Sequence, residues 1–223
     1  MLHPFPPFAF PPQTHFGKVL PKNKIYQRAA PTKSVRQRFV DQIEQIVWLH
    51  KLAPETIKLP ATPVVAEIQV FAVALKEVEV HDEVLRTLDR AIQSPILFEL
   101  QSPLGLKIVA AYKRPGLSST AQPVVSAYFA TDWIPPDTPR RPLPMALDLE
   151  GLYAQLLAPL MPHPVWPGES LPQHVARMET IQSKERALAQ LESRLRREKQ
   201  FNRKVELHAQ IRDQKQELEG LIR

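Results

Sequence analysis

The chain has no cysteine and only six glycines among its 223 residues. Without thiols there are no disulfides, thiolate metal sites or cysteine nucleophiles. Gly17, Gly105, Gly116, Gly151, Gly168 and Gly220 never stand close enough together to aim successive backbone amides at a phosphate, which removes the nucleotide-hydrolase loop. No apolar run approaches the roughly 20 residues of a membrane helix, and the proline-broken start lacks the basic and apolar regions of a secretion signal. A soluble, cytoplasmic protein with no membrane contact is expected. The seven histidines are scattered without the i, i+4 pairing of a metal-binding helix. Ser118 and Ser119 lie outside any nucleophile-elbow pattern. No catalytic residue, metal or cofactor is assigned.

Proline is abundant instead, with 24 residues, and 43% of the chain is hydrophobic, enough to bury a core between stiff connections. The net charge of +6 is unevenly spread. Cations outnumber anions nine to three before Leu59, anions lead twelve to eight from Leu59 to Pro172, and cations lead twelve to eight afterwards. Basic ends of this kind suit a phosphate backbone or an acidic partner surface.

The punctuation divides the chain into an extended Pro/Phe-rich arm (1–16), an α+β domain (17–162), a Pro-rich linker (163–173) and a helical segment (174–223). The arm carries five prolines and four phenylalanines and is expected to lie over a groove of its own domain. Residues 17–31 read as a basic extended connector. Ser34 and Gln37 form a capping-box pattern, and Val35, Phe39, Ile43, Ile46, Val47 and His50 recur at helical spacing, predicting one helix that Pro54 ends. A strand over 64–75 follows, then a helix starting near His81 or Asp82. Strands at 96–100, 106–112 and 124–134 come next, the last after a loose loop over 115–123. The economical model is a small βαβββ sheet with flanking helices. Five prolines across 135–144 make a strap, and Asp148 caps a further helix. From His174 the heptad seam of Ile181, Leu188, Leu191 and Leu195 is out of phase with that of Leu207, Ile211, Leu218 and Leu221. A break near Lys199 to Arg203 and a helical hairpin are expected, with a long dimeric coiled coil as the alternative.

Two basic sets stand out as nucleic-acid contacts: Lys22, Lys24, Arg28 and Arg36 near the start, and Arg197, Lys199, Arg203 and Lys204 around the break. The apolar residues Leu188, Leu191, Leu195, Phe201, Leu207 and Ile211 are the candidate partner-binding set. A Mg²⁺ nuclease would place acidic residues and a lysine on adjacent strands; Glu67 and Glu99 are followed by glutamines where that lysine belongs, leaving Lys113 with Asp89 or Glu99 as a degenerate substitute.

The runs at 20–26 (LPKNKIY), 96–99 (ILFE), 111–113 (AYK) and, above all, 198–207 (EKQFNRKVEL) resemble an uncharacterised bacterial domain-of-unknown-function family. The resemblance spans nearly the whole chain after Gly17. It implies a setting beside superfamily-2 helicases and adenine-specific DNA methyltransferases in restriction or anti-phage clusters, and carries no catalytic residues. Phe201, Leu207, Ile211, Arg212 and Asp213 are also similar to the second helix of the hairpin that ends the bacterial excision-repair helicase subunit, a protein-docking module. The expected function is a non-enzymatic accessory subunit docking onto a helicase or methyltransferase through its C-terminal helices. Direct nucleic-acid binding and a degenerate nuclease are the alternatives, and homodimerisation through the same helices is a further expectation.

Overall fold

The protein's computed structural model describes residues 6–114 and 123–223; the first five residues of the arm and most of the 115–123 loop, Ser118 and Ser119 included, lie outside them. The chain divides into two compact units, Met1–Met161 and Pro162–Arg223.

The first unit is α+β. Strand β1 (Phe8–Ala9) is followed by β2 (His15–Val19), α1 (Lys22–Ala29), α2 (Lys33–Gln42) and β3 (Ile43–Leu52). Then come α3 (Pro54–Ile57), β4 (Ile68–Leu75), α4 (Asp82–Ala91), β5 (Ile96–Ser102), β6 (Gly105–Arg114), β7 (Val124–Ala130), β8 (Arg141–Pro142) and α5 (Leu149–Leu157). The main sheet has the order β2-β3-β4-β5-β6-β7, parallel only at β4/β5. The expected βαβββ run is therefore present as β4-α4-β5-β6-β7, inside a sheet of six strands rather than four. The two additional strands come from segments read otherwise in the sequence. The supposed basic connector holds β2 and α1, and the supposed single helix after Ser34 ends at Gln42, where the chain continues as β3.

The second difference has a local cause. The β3/β4 register shifts between Ile43 and Gln45, so that Ile43 and Ile46, three residues apart, are both buried in the same core cluster. A bulge in a strand thus reproduces the spacing of a helix face. Thr32 caps α2, its hydroxyl accepting the Val35 N–H at 3.4 Å, in place of Ser34. At the other end no glycine closes the helix. The Lys22 ammonium donates to the carbonyls of Phe39 and Ile43 at 2.8 and 2.6 Å, and Lys76 donates to that of Val40 at 2.7 Å. Two cations on the exposed carbonyls at a helix C-terminus satisfy both hydrogen bonding and the helix dipole.

One face of the sheet packs Phe71, Val73, Phe98 and Val109 against Ile25 of α1, Val35 and Phe39 of α2, and Val84, Leu85 and Leu88 of α4. The other face receives α5, whose Tyr153 ring stacks on Tyr112 at 6.2 Å. Its hydroxyl accepts the Lys113 N–H at 3.0 Å and donates to the Ala111 carbonyl at 2.7 Å, just where the β6/β7 register shifts. The hairpin turn between β5 and β6 needs its glycine: Gly105 has φ +123°, and a Cβ there would stand 2.1 Å from the Ile134 carbonyl oxygen. The described part of the arm lies along its own unit. Phe8 is buried, β1 pairs with β8 in parallel, and Arg140 joins arm to sheet through Phe8 O and Glu99.

The second unit is a helical hairpin, α6 (Leu171–Arg197) and α7 (Phe201–Ile222). Glu198, Lys199 and Gln200 interrupt the helices, and the Glu198 carboxylate accepts the N–H groups of Lys199 and Gln200 at 2.7 and 2.9 Å. Cross-links from Lys184 to Glu217 (2.5 Å), Lys215 to Glu192 (3.0 Å) and Arg177 to the Leu221 carbonyl (3.1 Å) make the pair antiparallel. The helix begins within the segment read as linker. There Arg177 grips Glu169 through two bonds of 2.7 and 2.8 Å, donates to Pro164 O at 2.7 Å and lies 4.1 Å above the Trp166 ring. Among the described residues, no helix is long and apolar enough to cross a membrane.

Candidate functional site

The sequence-derived residues fall at two places. The first is the bend of the hairpin. Leu207 and Ile211 are buried, and Leu188, Leu191 and Leu195 are half-buried along α6. Phe201, the first residue of α7, is 77% exposed, and Val205, one turn on, is 53% exposed. Arg197 closes α6, Lys199 lies in the break, and Arg203 and Lys204 are in the first turn of α7; none of the four side chains makes a hydrogen bond or ion pair among the described residues. The nearby anion Glu198 is already committed to backbone amides, which hold its carboxyl below the ordinary range. The bend therefore presents two apolar side chains and a surplus of cations.

The second place is a cleft of about 630 Å³ in the α+β unit, between α1, β3, the start of β4, and the end of α4 with the loop that follows it. Helix α1 sends Lys24 and Arg28, at i and i+4, to its edge. Neither side chain has a hydrogen bond or ion pair among the described residues. The other two members of the N-terminal basic set do different work. Lys22 caps α2, with its pKa pulled down by burial, and Arg36 donates to Pro31 O at 3.2 Å while lying 5.4 Å from the Tyr26 ring centre.

Trp48 and Phe71, stacked at 6.1 Å, supply aromatic wall, with Leu20, Ile25 and Ile92 beside them. The polar lining comes from Glu67, Gln69, Gln93 and Ser94. Glu67 accepts from Gln69 Nε2 at 2.5 Å and Ser94 Oγ at 2.9 Å, and pairs with Lys51 at 3.2 Å. Burial pushes the Glu67 carboxyl up, but these three partners outweigh it and hold it below its ordinary value. Sequence reasoning picked out Lys24 and Arg28 but missed Trp48, Gln69 and Gln93. Trp48 was assigned to a helix, and no local signal joins residues so distant in the chain.

The groups named for a nuclease are otherwise engaged. Lys113 is buried with its ammonium 2.6 Å from Asp89, and it also donates to the carbonyls of Asp89, Ile92 and Ser94 at 3.1, 3.0 and 2.9 Å. Tyr128 donates to the second Asp89 oxygen, and burial followed by that carboxylate drives the Tyr128 pKa upward. Glu99 projects from the opposite face and is held by both Arg140 nitrogens, at 2.7 and 3.0 Å. Among the described residues no group of three or more His, Cys, Asp or Glu is placed to hold a metal ion.

No curated protein and no solved structure matches this chain. A family model described as a domain of unknown function, DUF4391, matches residues 8–218, and the chain belongs to that family.

Proposed function

We propose that the protein is a non-enzymatic accessory subunit whose helical hairpin docks onto a DNA-processing partner, a helicase or DNA methyltransferase, in a restriction or anti-phage system. The observation that carries this reading is Phe201, exposed at 77% beside Val205 with Arg197, Lys199, Arg203 and Lys204 around it. An aromatic anchor ringed by cations is the composition of an interface hot spot facing an acidic surface, where the ring gives affinity and the charges give orientation and on-rate. Leaving that ring in water has no folding benefit, because the buried residues Leu207 and Ile211 already serve the interior of the unit.

The test is a tagged capture from the native host after nuclease treatment, with the co-purifying proteins identified by mass spectrometry. A helicase or methyltransferase is expected with the full chain and is lost with Phe201→Ser/Val205→Ser, a pair of exposed positions whose exchange leaves the hairpin folded. Capture that is indifferent to the exchange, or that returns neither enzyme, overturns the proposal. Direct nucleic-acid binding is a second reading favoured by Lys24 and Arg28, whose side chains have no partner among the described residues. It requires affinity that falls steeply as salt rises.

A further inference from the structure

The hairpin leaves the cleft beneath α1 without a role. We infer that this cleft is a binding site for a nucleoside monophosphate unit whose base carries an exocyclic amine. Its volume, about 630 Å³, lies within the ~300–1,000 Å³ usual for small-molecule sites. The chemistry of the lining divides as such a ligand does. At the edge, Lys24 and Arg28 are one helical turn apart and, among the described residues, without an anionic partner, so together they offer two cations to one phosphate. Within, Trp48 and Phe71 present aromatic wall, the partner of a nucleobase in sequence-tolerant binding.

The preference for an amine follows from a fixed amide. The Gln69 side chain is buried, and its Nε2 is committed to Glu67, which is in turn held by Ser94 and Lys51. That donation orients the carboxamide, so its Oε1, which accepts no hydrogen bond among the described residues, is the group left for a ligand. A fixed acceptor at the wall rewards a donor on the base edge, such as the amino group of adenine or cytosine. It repels the carbonyl oxygen that hypoxanthine or uracil presents in the same place. Gln93, exposed on the loop after α4, adds an adaptable carboxamide that suits either edge.

The unit has two possible sources, a free mononucleotide or one residue of a single strand, and the experiment separates them. The full chain is titrated calorimetrically with AMP, CMP, IMP, UMP and inorganic phosphate, and in parallel with short oligonucleotides of dA, dC and dT. AMP and CMP are expected to bind about tenfold more tightly than IMP and UMP, the loss caused by facing one buried acceptor with another. Lys24→Gln/Arg28→Gln, at exposed positions, lowers affinity for every phosphate-bearing ligand by about tenfold or more and flattens the salt dependence. Gln69→Met retains binding and erases the amine preference. Tighter binding of dA and dC oligonucleotides than of mononucleotides assigns the site to a strand, and the reverse order assigns it to free nucleotide. The inference fails if AMP and IMP bind alike, if phosphate alone binds as well as AMP, or if nothing binds at millimolar concentration.

Discussion

Lysine does in this protein what glycine does in most others. With so few glycines, α2 and α4 run into the following strands with no left-handed cap, and their last carbonyls are met by ammonium groups from elsewhere in the chain: Lys22 and Lys76 at α2, Lys113 at α4. Lys113 is the most demanding case because its whole side chain is buried and burial pulls its pKa down, against the opposing pull of Asp89. A buried pair of this kind adds little over an apolar replacement of both partners, yet removing one partner strands the other. Lys113→Met leaves the Asp89 carboxylate buried without its cation, with the Tyr128 hydroxyl as its remaining donor, and strips the Ile92 and Ser94 carbonyls of the ammonium, and is expected to destabilise the protein by about 3–5 kcal/mol. The double exchange Lys113→Met/Asp89→Asn should cost much less than the sum of the two single exchanges. Urea unfolding of the four proteins measures that coupling, and additive effects would show that the pair is not acting as a unit. No sequence pattern exposes this role. A lysine near the end of a hydrophobic strand resembles a boundary residue, and its acceptors lie about 20 residues away in α4 and the loop behind it.

The elements legible in the sequence were those whose signals are local. Asp148 caps α5 through the Gly151 N–H at 2.7 Å, His81 accepts the Glu83 N–H at 3.2 Å at the start of α4, and the phase slip of the leucine seams marks the break between α6 and α7. Strand β3 was not legible, because its bulges put Ile43 and Ile46 on one side and imitate a helix. The cleft shares that fate, since Trp48 reaches it only once β3 is a strand. At the head of the hairpin, Glu169 is an element-scale lock. Its carboxyl is lowered from 4.5 to about 2, first by the hydrogen bonds from Arg177, with burial opposing and the Trp166 N–H assisting. A carboxyl lower in the folded than in the unfolded chain contributes stability that is whole above the unfolded value and is lost as pH falls toward the folded one. The lock is therefore intact at neutral pH and weakens between about pH 4.5 and pH 2. Glu169→Gln should loosen the start of α6 at neutral pH, seen as weaker hydrogen-exchange protection of its amides. Urea titrations of the two proteins should differ at neutral pH and converge near pH 2; a gap independent of pH would mean that packing, not charge, holds the segment.

At the scale of the whole chain, proline composition does not show what completes a compact unit. The prolines suggest an α+β domain ending at 162, a linker over 163–173 and helices from 174, and the two compact units of the structure are Met1–Met161 and Pro162–Arg223. The sequence gives no comparable sign that α5 is indispensable to the sheet. Its Leu149, Leu152, Tyr153, Leu156 and Leu157 are all buried, and the Tyr153 hydroxyl satisfies the two backbone groups that the β6 irregularity leaves without strand partners. Truncation can separate these roles. A fragment of residues 1–161 keeps α5 and is expected to unfold in one cooperative urea transition and to give a dispersed NMR spectrum. A fragment of residues 1–147 strips the apolar cover from that face and orphans the Ala111 carbonyl and Lys113 amide, so it should lose cooperativity and expose surface that binds hydrophobic dyes. Cooperative folding of the shorter fragment would show that the arm and strap close that face unaided, and failure of the longer one would make the hairpin part of the folding unit.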